Sequence, residues 1–112
     1  MIEESYVRFN TARMLKEAGF EAECGFIVDD DGRKLYRPTQ ALAARWLREK
    51  HHINVYACFD YEKFDERKWF FTREHTMVND DSAVYCSITN YKSYEEALEA
   101  GLKHCLELIK KQ

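Results

Sequence analysis

Four kinds of residue in this 112-residue chain could do chemistry: cysteines, histidines, clustered carboxylates and clustered arginines. The cysteines are Cys24, Cys58, Cys86 and Cys105. None falls in the C-x-x-C spacing by which two thiolates share a zinc ion or a redox couple. Each sits among apolar neighbours, Gly25-Phe26-Ile27 or Val84-Tyr85 for example, and so reads as a small buried hydrophobe. His51 and His52 are adjacent rather than one helical turn apart, and His75 and His104 stand alone. No histidine metal pair is expected from that spacing. Glu49-Lys50-His51-His52 could be drawn as an acid-base site, but any charged helix end looks the same. No G-x-S-x-G, H-E-x-x-H, P-loop or Rossmann fingerprint occurs. Asp29-Asp30-Asp31-Gly32 lacks the calcium-loop spacing and its late glutamate, and reads as a polar turn. The expectation is a chain without catalytic residues, metal or cofactor.

The arginines are more informative. Between Gly32 and Asn54 the bases are Arg33, Lys34, Arg37, Arg45, Arg48 and Lys50, against the single acid Glu49, a local charge of +5 in a chain of net −3. The overall pI near 5.8 argues against a nucleic-acid binder, whose domain pI usually exceeds about 9. A basic stripe still steers anions locally. Arg37, Arg45, Arg48 and His52 are therefore the candidate anion or nucleic-acid surface. The chain also carries two Trp, seven Tyr and seven Phe. Arg67-Lys68-Trp69-Phe70-Phe71-Thr72-Arg73 interleaves rings with bases, as base stacking and phosphate contact would use. Alternating strands cannot turn every ring to one covered face. Some rings must be exposed, and exposed rings mark interfaces. The candidate partner surface is Trp69, Phe71, Tyr56 and Tyr85.

The elements that would position these residues follow from periodicity. Hydrophobic residues make up 46% of the chain, with one Pro and four Gly. That composition favours one folded domain over 1–112, with possible sub-units 1–37 and 38–112. No apolar run approaches the roughly 20 residues of a membrane span. The start, Met1-Ile2-Glu3-Glu4-Ser5, shows neither the basic nor the apolar region of a secretory signal, so a cytoplasmic location with reduced thiols is expected. Ser5 to Ala18 reads as a helix with Phe9, Ala12, Leu15 and Ala18 as its stripe and Gly19 as its left-handed end. Cys24–Val28 and Arg33–Arg37 flank an Asp-Gly turn and read as a hairpin. After Pro38, Thr39 caps a helix running to Lys50. The period then changes from 3.6 to 2: Ile53–Tyr61, Arg67–Arg73 and Ala83–Thr89 read as strands, with Glu62–Glu66 a polar turn and Glu74–Ser82 a loop, Thr76–Val78 being the alternative extension of the second strand. Ser93-Tyr94-Glu95-Glu96 is a capping box opening a helix whose stripe is Leu98, Leu102, Cys105 and Ile109. Gly101 lies on that stripe and implies close approach to the sheet. The fold class is α+β: an antiparallel sheet, hairpin plus three-stranded meander, packed against helices in the order α-ββ-α-βββ-α. Whether the hairpin joins the meander is left open by the pattern.

Phe9-Asn10-Thr11-Ala12 with Leu15-Lys16-Glu17-Ala18-Gly19-Phe20, together with Pro38–Lys50 and Ser93–Lys103, resembles a group of small proteins from gut bacteria and their phages or mobile elements. The resemblance covers most of the chain except Tyr61–Tyr91. It implies an intracellular accessory role and transfers no catalytic residue, because the group has no assigned activity. The functional expectation is a non-enzymatic protein-interaction or self-association module, with a protein partner or homodimer and no membrane. The alternative is a nucleic-acid-binding domain using the basic 33–52 segment and the aromatic strand 67–73. The α-βββ-α order after Pro38 is that of a double-stranded-RNA-binding domain, but the lysine-rich helix start of such a domain is absent.

Overall fold

Side-chain caps decide where two of the helices begin. Thr39 is extended and its hydroxyl accepts the Leu42 N–H, opening helix α2 at Gln40–His51. Ser93 does the same for Glu96, opening helix α3 at Tyr94–Lys110. Glu96 returns its carboxylate to the Lys92 N–H rather than to the cap residue itself, one position upstream of the expected box. The structure, a computed structural model, describes residues 4–21, 24–28, 30–63 and 65–111. Its remaining elements are helix α1 (Phe9–Glu17), strands β1 (Phe26–Val28), β2 (Lys34–Tyr36), β3 (Ile53–Phe59), β4 (Trp69–His75) and β5 (Val84–Cys86), and a single 3-10 turn at Asp81–Ala83. The order α-ββ-α-βββ-α is as expected. Asp29 of the polar turn and Phe64 of the Glu62–Glu66 turn lie outside the described residues.

The hairpin and the meander are separate antiparallel sheets, β1-β2 and β3-β4-β5. Boundaries shift where hydrogen bonds override the pattern. α1 begins at Phe9, not Ser5, because the chain before it is held extended: Val7 N–H donates to the Pro38 carbonyl and Tyr6 bridges Thr39. Its end is as expected, with Gly19 at φ +92° and Phe20 N–H donating back to the Leu15 carbonyl. β4 runs two residues further than expected, since the Thr76 N–H and hydroxyl both donate to the His52 carbonyl and close the ladder there. β5 stops at Cys86. Beyond it the Ser87 hydroxyl, rather than a strand carbonyl, takes the Phe71 N–H, and Ile88 leaves the sheet at 75% exposure. The cysteines are also less buried than their neighbours suggest: Cys105 is buried, Cys24 and Cys58 are half-buried and Cys86 is exposed.

One core joins both expected sub-units. Val7, Ala12, Leu15 and Leu35 from the first stretch pack with Leu47, Ile53, Val55, Leu102 and Cys105 from the second. Among the described residues no helix is long and apolar enough to cross a membrane. α3 lies on β3 and β4, and Gly101 sets how closely. A Cβ built there would sit 2.7 Å from Val55 Cγ2 and 3.1 Å from Phe71 Cβ. Alanine at a helical glycine normally adds about 1 kcal/mol, but overpacking a core costs about 1–3 kcal/mol. Gly101→Ala is expected to lower stability by up to about 2 kcal/mol for that reason. Urea unfolding of the two proteins measures the sign directly, and a stabilised variant would show that helix and sheet are further apart.

Candidate functional site

Strand alternation divides the meander into two unlike faces. Val55 and Phe71 meet Gly101 of α3, which places Ile53, Val55, Ala57, Phe59, Trp69, Phe71, Arg73 and Tyr85 on the helix side. The reverse face then carries Asn54, Tyr56, Cys58, Phe70, Thr72, Glu74, Val84 and Cys86. α2 packs with the helix side through Leu47, Ile53 and Val55. α1 packs on α3 and β2. Among the described residues no helix or strand lies on the reverse face.

That face is knit sideways: Thr72 at its centre is 5% exposed, Tyr56, Cys58 and Phe70 are half-buried, and Val84 and Cys86 of the outer strand are exposed. The Tyr56 hydroxyl donates to Glu74 Oε1 at 2.6 Å, and this bond is the main cause that pushes the phenol up to about 12. Thr72 Oγ1 lies 3.4 Å from Cys58 Sγ and 3.5 Å from Cys86 Sγ, so one hydroxyl joins thiols from the two outer strands. Val84 is 55% exposed. A solvated antiparallel face normally alternates to polar residues. Here Asn54, Thr72 and Glu74 stand against Tyr56, Phe70, Val84, Cys58 and Cys86.

The structure separates most of the expected site residues. Phe71, expected at a partner surface, is 4% exposed. The assignment is corrected, because its parity along β4 turns the ring beneath α3. Trp69 is half-buried on the same side, edge-on to Phe59 at 5.0 Å and to Tyr94 at 5.8 Å. Tyr85 is 42% exposed but also on the helix side, stacked on His104 at 4.6 Å. Tyr56 alone of the four belongs to the reverse face. Among the basic candidates, Arg37 spends its Nε on the Val7 carbonyl at 2.9 Å. His52 is the left-handed cap of α2, φ 58°. Both have structural duties. Arg45 and Arg48 do come together, on a groove of about 570 Å³ between α2 and β3 that Tyr56 also lines. Arg45 pairs with Glu49 at 3.0 Å, an exposed pair of small energetic weight. A larger cleft of about 910 Å³ between α1 and the end of α3, lined by Met14, Ala18, Leu106 and Ile109, contains none of the expected residues.

No family model, curated protein or solved structure matches this chain.

Two polar features escaped the pattern. Glu99 is buried and accepts the Arg8 N–H at 3.0 Å, the Thr11 hydroxyl, and Gln40 Nε2 at 3.1 Å. Its position three residues before Leu102 and seven before Leu106 is the signal that it belongs to the buried stripe. The second is a set of polar atoms on β4 and α3, where Arg73 Nε, His75 Nδ1 and His104 Nε2 are each buried without a partner among the described residues. Arg73 holds the Ser82 carbonyl through Nη1 at 2.8 Å. Among the described residues no group of three or more His, Cys, Asp or Glu could hold a metal ion.

Burial first, and Arg73 second, hold His104 below its ordinary value; Lys111 adds to this and Glu107 opposes it. The folded state thus prefers neutral His104, while the unfolded chain takes up its proton near about 6.5. Stability from this residue is complete above that pH and is lost as pH falls through the lowered folded value. Between about pH 7 and pH 5 the wild-type Tm should fall more than that of His104→Gln. His51, also held low by burial, is common to both proteins, so the difference isolates His104. Parallel melting curves in the two proteins would contradict the assignment.

Proposed function

We propose that the chain is a non-enzymatic protein-interaction module that presents the reverse face of its meander to an apolar surface of a second protein molecule, its own copy included. The observation that supports this reading most is the composition of that face. Tyr56, Phe70, Val84, Cys58 and Cys86 occupy positions where a solvated sheet would carry Lys, Glu or Thr. Apolar side chains that reach the open side of a sheet are typical of protein interfaces, and Val84 and Cys86 are exposed there with Tyr56, Cys58 and Phe70 half-buried. Interface cores are depleted of charge, and Glu74, the charged side chain of the face, is already bonded to Tyr56. A nucleic-acid surface has less support. Parity turns Trp69 and Phe71 of the 67–73 strand toward α3 and leaves Phe70 as its ring on the open side, while the net charge stays negative.

The reading predicts concentration-dependent association of the isolated chain. Light scattering should give a mass rising above 13.4 kDa, and Phe70→Glu with Val84→Lys should return the monomer with an unchanged circular-dichroism spectrum. A chain that stays monomeric at high concentration and leaves an apolar-surface dye dark would contradict it.

A further inference from the structure

The groove between α2 and β3 runs along a strand edge, and the register states which backbone groups face it. Thr76 N–H donates to the His52 carbonyl and Asp60 N–H to the Lys68 carbonyl. Antiparallel ladders alternate, so the even-numbered residues of β3 bond to β4. Ile53, Val55, Ala57 and Phe59 therefore point N–H and C=O away from it. β3 is an outer strand of its sheet. Among the described residues no hydrogen bond ends on those outward groups. Val55 is 5% exposed and lines the groove, so its outward peptide groups reach solvent mainly through that opening. Buried backbone groups without partners are rare in native proteins. The strand also lacks the protections that edges carry: Ile-Asn-Val-Tyr-Ala-Cys-Phe has no charge, proline or glycine.

We propose that this groove takes an extended peptide segment of a partner protein, added as a strand to the outward groups of Val55, which lines it, and of Ala57 further along the same edge, with carboxylate side chains set against Arg45 and Arg48. The opposite wall is built for a strand, because α2 turns the small residues Ala41 and Ala44 to the groove. Charge selects the occupant. Arg45, paired with the exposed Glu49 at 3.0 Å, and Arg48 lie on the side of α2 that rims the groove. Glu4 and Glu95 lie on the groove with Gln40 and Ala41 of the first turn of α2, so the acidic residues of the peptide belong at the Asn54 end. A second copy entering through its own β3 would oppose these arginines to themselves about the two-fold axis, which disfavours it. Strand addition draws affinity from main-chain bonds and specificity from flanking side chains. The proposal shares the interaction-module reading but not its surface.

A display library of random short peptides, selected on the whole chain, tests it. Enriched peptides are expected to carry Asp or Glu at one end of an alternating apolar stretch. Arg45→Glu with Arg48→Glu should weaken their binding about tenfold or more, and Phe70→Glu should not. Bound peptide should slow hydrogen exchange at the Val55 and Ala57 amides and leave those of Tyr56 and Cys58, already bonded to β4, nearly unchanged. Ala44→Phe, which fills the groove without touching the strand, should also abolish binding. Enrichment of basic peptides, no enrichment at all, indifference to the arginine reversal, or binding without protection of Val55 and Ala57 would each overturn the proposal. None of these results bears on association through the reverse face, which Phe70→Glu reports separately.

Discussion

The close seat of α3 on β3 and β4 is the constraint from which the rest of the architecture follows. Without a side chain at Gly101, the helix backbone comes within van der Waals reach of Val55 and Phe71. Leu98, Leu102, Cys105 and Leu106 then reach the sheet and the neighbouring helices together. α2 and α1 both pack against α3, so the helices gather on one side of the meander. The hairpin packs on α1 through β2 and does not extend the larger sheet. Among the described residues no helix or strand lies on the sheet's other face, where Thr72 is buried and Phe70 half-buried.

Glu99 fixes how those helices meet. Its carboxylate takes donors from the start of α1, Arg8 N–H and the Thr11 hydroxyl, and from the start of α2, the Gln40 amide. Gln40 also donates to the Glu95 carbonyl at 2.9 Å. A negative group at the first turn of α1 complements that helix's positive end. Apolar packing alone would tolerate several rotations of α1 and α2 on α3. A buried acceptor with three directional donors selects one, because any other leaves polar groups unpaired in the interior.

How much of this was legible depends on the range of the interaction. Thr39, Ser93, Gly19 and Gly101 act within one turn of chain or impose a local steric rule, and the sequence pattern places all four. The period-two alternation expected of Ile53–Tyr61 also holds, with Val55 and Ala57 on one face of β3 and Tyr56 and Cys58 on the other. Ends set by distant partners were not legible: α1 waits for Pro38 and Glu99, and β4 runs on to meet His52. Site residues were harder still. Side-chain type marks Phe71 and Tyr56 alike as aromatic on a strand, and only the position of α3 decides that one is core and the other is not. Arg37 and Arg45 look equivalent in a basic run, yet one is tied to the Val7 carbonyl and the other rims a groove.

Helices cover one face of the sheet, and among the described residues no helix or strand lies on the other. A soluble paramagnetic probe, added to the chain at a concentration where it is monomeric, measures this residue by residue through broadening of side-chain NMR signals. The architecture predicts strong broadening at Phe70 and Val84 and almost none at Phe71 and Leu102. Equal protection of Phe70 and Phe71 would mean that something in the chain roofs the reverse face, and would contradict the account.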